Sequence, residues 1–70
     1  MKWDIRKYMG GDAVKPTVVD SEAEYNDALA LAEMYAQEHA ERLSVKLWRY
    51  SHNAWRFVTN NGTAVTYEVY

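Results

Sequence analysis

The chain has 70 residues, of which 49% are hydrophobic and 26% charged, and its formal net charge at pH 7 is -2. This length allows one domain, residues 1–70, and excludes two-domain enzymes and repeat arrays. The absence of cysteine excludes disulfide frameworks and thiolate metal sites. The chain has no apolar run of membrane-spanning length and no apolar signal segment at its start, so we expect a cytoplasmic protein without a membrane partner.

Two segments near the N-terminus have the composition of strands. Residues 3–9 and 14–19 are rich in β-branched, aromatic or other apolar side chains, and residues 10–12, which include two glycines, can turn between them. Pro16 lacks a backbone donor, so the second segment is predicted to be an edge strand or an extended arm.

A helix is predicted from residue 21 to about residue 41. Ser21 and Glu24 have the spacing of a capping box, in which each side chain binds the backbone amide of the other residue. No Gly or Pro interrupts the segment, and at 100° per residue one side collects alanines and large apolar residues that would face a sheet. His39 lies on that side, and we expect a packed residue, favoured by the negative end of the helix dipole, rather than a metal ligand.

After the helix, apolar residues alternate with a period of two, which predicts strands at residues 43–50, 54–59 and 63–70. The last two strands are joined by a segment that fits a three-residue hairpin loop with Gly62 in the left-handed region. That loop places Phe57 opposite Val65. Residues 51–53 are predicted to join the first two strands, with Leu47 facing Phe57 and Trp48 facing Arg56. The core face of the sheet is predicted to contain Leu43, Val45, Leu47, Trp55, Phe57, Val65, Tyr67 and Val69.

These elements predict the α+β class, with one helix packed on an antiparallel sheet in the order ββαβββ. The chain offers little for catalysis, because it has no cysteine nucleophile, no phosphate-binding glycine motif and only two histidines, in different elements. We therefore expect a protein that is not an enzyme and that uses no metal or cofactor.

Charge is divided unevenly along the chain. From Pro16 to Glu41 there are seven acidic residues and no Lys or Arg, while all eight basic residues lie outside this segment. Solvated helices commonly place Lys four residues from Glu, and this helix does not. An ordinary solvated face is one interpretation; the other is a surface that binds a basic region of a larger, nucleic-acid-binding or other protein. The residues predicted for that surface are Asp27, Glu33, Met34, Glu38 and Glu41.

The outer face of the sheet is the second candidate surface, through Lys46, Trp48, Tyr50, Arg56 and Tyr70. Trp48 and Arg56 can stack, and such a group is typical of platforms that bind single-stranded nucleic acid. A net negative chain attracts phosphates weakly, so a protein partner is favoured over nucleic acid. Alternatively, residues 3–19 cover these aromatic rings, or a homodimer forms, by stacking of the faces or by edge pairing of residues 63–70.

The small size, the acidic helix with the segment YNDALALAE at residues 25–33, and the short aromatic strands together resemble a class of proteins. These are the compact proteins with which phages and mobile elements block host machinery, such as anti-CRISPR proteins and phage inhibitors of host RNA polymerase. The resemblance rests on size, charge layout and element order, without a diagnostic motif. It implies a protein of the bacterial cytoplasm that acts by occupying a surface, with no turnover and no cofactor.

Overall fold

A computed structural model describes residues 2–10 and 15–70 of the chain. These residues form one helix and five strands in the predicted order ββαβββ, and the α+β class is confirmed. All five strands belong to one antiparallel sheet, and the helix packs on one face of it. The elements are β1 (Trp3–Met9), β2 (Thr17–Glu22), α1 (Tyr25–Arg42), β3 (Trp48–Ser51), β4 (Ala54–Val58) and β5 (Ala64–Val69).

The sheet has the strand order β2-β1-β5-β4-β3, which places β5 at its centre. Ile5 of β1 faces Val69 on one side of β5, and Phe57 of β4 faces Val65 on the other. The prediction that residues 63–70 form an exposed edge is therefore wrong, because β1 occupies that edge. The actual edge strands are β3 and β2. The edge position predicted for the second segment is confirmed, but β2 begins at Thr17, after Pro16, and continues to Glu22 rather than ending at residue 19. Most of the predicted turn at residues 10–12 lies outside the described residues.

The helix α1 begins later than the capping-box pattern predicts. Ser21 belongs to β2, where its hydroxyl donates a 2.8 Å hydrogen bond to Asp4 of β1. The capping position is taken by Glu24, which makes no side-chain cap bond. The predicted capping box is wrong because pairing with β1 extends β2 through Glu22. An edge-on contact between the rings of Trp3 and Tyr25, with centroids 4.8 Å apart, joins the start of α1 to β1 instead.

The alanine side of α1 faces the sheet, as predicted. Its four alanines are buried, and such small side chains let the helix backbone come close to the strands. The larger residues Tyr25, Leu29, Leu31 and Tyr35 are partly buried and pack against the core around this side. The sheet contributes the buried side chains of Ile5, Trp55, Phe57, Val65, Tyr67 and Val69.

The end of α1 forms a Schellman motif. The N–H of Ser44 donates to the carbonyl of Glu41 and the N–H of Val45 to the carbonyl of Ala40, both at 3.0 Å. Ser44 has a φ of 55°, in the left-handed region. The following connector continues the predicted alternation, with Val45 and Leu47 partly buried and Lys46 exposed, but it is not a strand. The strand predicted from residue 43 therefore begins only at Trp48, because the helix cap sets the path of the chain.

Replacing Ser44 by glycine should stabilise the protein. A side chain in the left-handed region costs roughly 1 kcal/mol, while glycine increases the entropy of the unfolded chain and cancels part of the gain. We expect a net gain of about 0.5 kcal/mol and a Tm higher by about 2–4 °C in thermal unfolding followed by circular dichroism. Ser44→Ala keeps a Cβ and serves as the control, for which this gain in Tm is not expected. A lower Tm for Ser44→Gly would contradict the left-handed conformation of residue 44.

The β4–β5 hairpin has the predicted loop and register. Thr59 N–H donates to the Thr63 carbonyl at 2.9 Å, and Gly62 has a φ of 88°. Phe57 faces Val65 as predicted. These features follow from the local sequence of the turn, which is why the pattern predicts them correctly.

The β3–β4 hairpin matches the predicted register at Trp48, which faces Arg56, and at Arg49, which faces Trp55. The register shifts between Arg49 and Ser51, and Ser51 pairs with Ala54, so the connecting loop has two residues rather than three. The shift is a β-bulge, in which one strand carries an extra residue and its side chains are redirected. Leu47, which was expected to face Phe57 from a strand, lies in the connector before β3.

Candidate protein-binding surfaces

The acidic helix face is the solvent-facing side of α1. All five residues predicted for it are exposed, and the Met34 side chain is 45% exposed. With 3.6 residues per turn, Asp27, Glu38 and Glu41 surround Met34, whereas Glu33 lies about 100° around the helix from it. Four of the predicted residues therefore lie along one side of the helix, about 21 Å from Asp27 to Glu41, and Glu33 lies on a flank.

A shallow groove runs beside this face near the end of α1. It has a volume of about 670 Å³ and is lined by Tyr35, Glu38, Glu41 and Arg42. Arg42 lies in the last turn, where the negative end of the helix dipole favours a cation. Glu41 also accepts a 3.3 Å hydrogen bond from Nε2 of Gln37. The groove thus offers two carboxylates, one guanidinium group and one phenol ring to a ligand.

Tyr35 is held in place by β2. Its hydroxyl donates a 2.7 Å hydrogen bond to Oδ2 of Asp20, whose Oδ1 accepts a 2.8 Å bond from the N–H of Ser21. The bond from Tyr35, with the backbone bond, lowers the pKa of Asp20, and the same carboxylate raises the pKa of Tyr35. Asp20 is thus ionised at neutral pH and fixes one wall of the groove. The sequence pattern assigned Tyr35 to the core side and gave no sign of this role.

His39 is a packed residue, as predicted. Its ring lies edge-on to Phe57, with centroids 4.9 Å apart, and its Nδ1 is 2.8 Å from the Tyr67 hydroxyl. Burial, with smaller contributions from Arg42 and Lys7, lowers the pKa of His39. With its pKa lowered, the His39 ring is neutral at pH 7.

The second surface is the face of the sheet that carries no helix, here called the open sheet face. Strand alternation and register define its members. Residues 3–10 and 15–22 extend the sheet sideways and do not cover these side chains, so the alternative of a covering N-terminal segment is wrong for the described residues. The open sheet face consists of Asp4, Arg6, Tyr8, Val18, Ser21, Trp48, Tyr50, Ala54, Arg56, Val58, Ala64, Thr66, Glu68 and Tyr70.

Four of the five residues predicted for this face lie on it. The rings are accessible, with Trp48 43%, Tyr50 51% and Tyr70 64% exposed. Lys46 is also exposed, but it belongs to the connector before β3 rather than to a strand of the sheet.

Two arginines of the open sheet face lie over tyrosine rings. The Arg56 guanidinium carbon is 3.7 Å from the ring centroid of Tyr50, and that of Arg6 is 3.9 Å from the centroid of Tyr70. Trp48 was the ring expected to stack with Arg56, whereas the guanidinium lies over the ring of Tyr50. Tyr50 stands at the bulge between Arg49 and Ser51, which redirects the side chains of β3.

Polar contacts hold the centre of this face. Arg56 Nε donates a 2.8 Å bond to the Thr66 hydroxyl, and the Tyr8 hydroxyl donates a 3.2 Å bond to Oε1 of Glu68. A depression of about 240 Å³ lies between these groups and Tyr50. The sequence pattern did not identify Arg6 or Tyr8, because both come from β1, whose place in the sheet depends on long-range pairing.

Comparison of the chain with family models, with curated proteins and with solved structures gave no match. Within residues 2–10 and 15–70, no helix has the length and apolar character needed to cross a membrane. In the same part of the chain, no three His, Asp or Glu side chains are grouped so that they could hold a metal ion. Function is therefore argued from the two surfaces themselves.

Proposed function

We propose that the protein is a non-catalytic binding module, an inhibitor or adaptor, whose acidic helix face covers a basic surface on a larger protein. The observation that carries this proposal is the exposed group of Asp27, Glu38 and Glu41 around Met34, on a helix with no Lys or Arg before Arg42. Glu38 and Glu41 are three residues apart, and like charges at such spacing destabilise a helix. Arg42, four residues after Glu38 in the same helix, offsets part of this repulsion. A basic partner would offset the rest.

The groove beside Tyr35 gives this proposal a binding mode. A Lys or Arg of the partner would enter the groove, where Glu38 and Glu41 supply negative charge and Tyr35 supplies an aromatic ring for a cation. Met34, a flexible apolar side chain, would contact the partner beside it. Attraction between exposed charges of opposite sign also accelerates association, so binding should weaken as salt increases.

Such a module would act by occupancy. A surface that binds nucleic acid is basic, and a small acidic protein seated on it excludes the phosphate backbone. This mode needs no catalytic residue, and it is the mode that the resemblance to phage inhibitors implies.

The test uses two variants with the same change in net charge. Glu38→Gln with Glu41→Gln removes two negative charges from the groove, while His52→Lys with Asn60→Lys adds two positive charges in exposed loops. A partner is first captured from bacterial extract on immobilised protein and then purified. We expect the groove variant to lower its affinity at least about tenfold, and the loop variant to change it less than about threefold.

Charge reversal at Asp27, Glu33, Glu38 and Glu41 to Lys should abolish that association while the circular dichroism spectrum stays unchanged, because all four residues are exposed. Equal affinity for the wild type and the groove variant would overturn the proposal. Equal losses in the groove and loop variants would show that only net charge matters and would overturn it too.

A second candidate function is binding of single-stranded nucleic acid by the open sheet face, which the exposed rings of Trp48 and Tyr50 beside Arg56 favour. The charge of this face argues against binding of nucleic acid. The charges of Arg6 and Arg56 on this face are balanced by those of Asp4 and Glu68, and affinity for nucleic acid depends mainly on neutralising phosphates. The acidic helix face therefore remains the preferred basis for function.

A further inference from the structure

We propose that the open sheet face binds a second copy of this chain, so that two protomers pack sheet against sheet with their acidic helices on the outside. This inference is independent of the proposed function. It starts from the distribution of apolar side chains. Seven large hydrophobic residues are exposed in the described part of the chain, and five of them lie on the open sheet face: Val18, Trp48, Tyr50, Val58 and Tyr70.

A solvated face of an antiparallel sheet normally carries polar residues at alternate positions. Here many of those positions are aromatic or aliphatic. Four of its fourteen residues are charged. Its basic residues are arginines rather than lysines, and arginine and aromatic residues are enriched at protein interfaces. Exposed hydrophobic side chains that are gathered on one face of a domain indicate a binding surface.

The charged side chains of the face are already oriented by neighbours. Arg6 stacks on Tyr70, while Arg56 stacks on Tyr50 and binds Thr66. Glu68 accepts the bond from the Tyr8 hydroxyl, and Asp4 accepts the bond from Ser21. Side chains ordered before association lose less entropy when the complex forms.

The net charge of the open sheet face indicates which partner would bind there. In a twofold dimer the same patch meets itself, so a face with net charge would repel its copy. Two arginines and two carboxylates give the open sheet face no net charge, and cations of one copy can face anions of the other. The acidic helix faces carry like charge and would repel each other. The neutral face therefore fits a second copy better than it fits a strongly charged partner such as nucleic acid.

The area is sufficient for an interface of moderate strength. Five strands spaced about 4.8 Å apart, each about six residues long at about 3.3 Å per residue, present a flat area of roughly 500 Å² per copy. If the two faces were flat, two copies would bury roughly 1,000 Å² in total, and protruding side chains would add to this area. The total reaches the lower limit for a specific interface. We therefore expect dimers at tens of micromolar protein.

Sedimentation velocity at about 10–200 µM tests this inference. The wild type should sediment as a dimer at the upper concentrations. Trp48→Ala, which removes an exposed ring from the face, and Val58→Lys, which introduces a charge, should each sediment as monomers. Met34→Ala is the matched control, because Met34 is 45% exposed, like Trp48 at 43%, but lies on the helix; it should remain dimeric.

Circular dichroism verifies that each variant is folded, and two chemically different variants separate loss of the interface from loss of the fold. A monomeric wild type at the highest concentration would overturn the inference. Dimers that persist in both face variants would overturn it as well, since the contact would then lie elsewhere. Quenching of tryptophan fluorescence by a short single-stranded oligonucleotide, with dissociation of the dimer, would identify nucleic acid as the occupant instead.

Discussion

Replacing Phe57 by alanine is expected to remove most of the stability of the fold. Phe57 is fully buried at the centre of the core, where it contacts His39 and faces Val65. Removing a buried aromatic ring costs about 3–5 kcal/mol, because apolar burial is lost and a cavity remains. A domain of this size has a total unfolding free energy of only about 3–10 kcal/mol.

Urea unfolding followed by tryptophan fluorescence measures this loss as a lower midpoint. Phe57→Leu is the control, because it keeps most of the apolar volume and should cost less than about 2 kcal/mol. A midpoint for Phe57→Ala within the error of the wild type would contradict the position of Phe57 in the core.

The second large effect is expected for Ala36→Leu. Ala36 lies on the alanine side of α1 with no exposed surface, and a leucine there would have to push the helix away from the sheet. Overpacking of this kind costs about 1–3 kcal/mol. Ala30→Leu is the matched control, since Ala30 is an exposed residue of the same helix and leucine is a good helix former. The free energy of unfolding of the Ala30→Leu variant should stay within about 0.5 kcal/mol of that of the wild type.

The comparison of the two leucine variants in the same urea experiment separates burial from helix propensity. Equal stability of both variants would show that the helix does not need its small residues to approach the sheet.

Local chemistry explains the features that the sequence predicts well. The loop before Gly62 determines the register of β4 and β5, and the helical period determines that Asp27, Glu38 and Glu41 are exposed around Met34. Each of these follows from residues close together in the chain. The acidic helix face was predictable for the same reason.

Long-range pairing explains the features that the sequence does not predict. Ser21 has the local signature of a helix cap, but its hydroxyl binds Asp4 of β1 and the residue continues β2. The central position of β5 depends on its pairing with β1. Likewise, the wall of the groove depends on the bond between Tyr35 and Asp20, which lie on different elements. No periodicity reveals such contacts.

The central position of β5 determines when the domain can fold during synthesis. β5 lies between β1 and β4 in the sheet, so β1 and β4 do not pair with each other. A nascent chain that ends before residue 64 can form the β1–β2 and β3–β4 hairpins, but the alanines of α1 then lack a continuous sheet to cover. Ile5 of β1 gains Val69, its partner across the sheet, only when β5 is present. Because translation proceeds from the N-terminus, the native sheet forms only after β5 has left the ribosome, and until then the unfinished domain exposes apolar surface that favours aggregation.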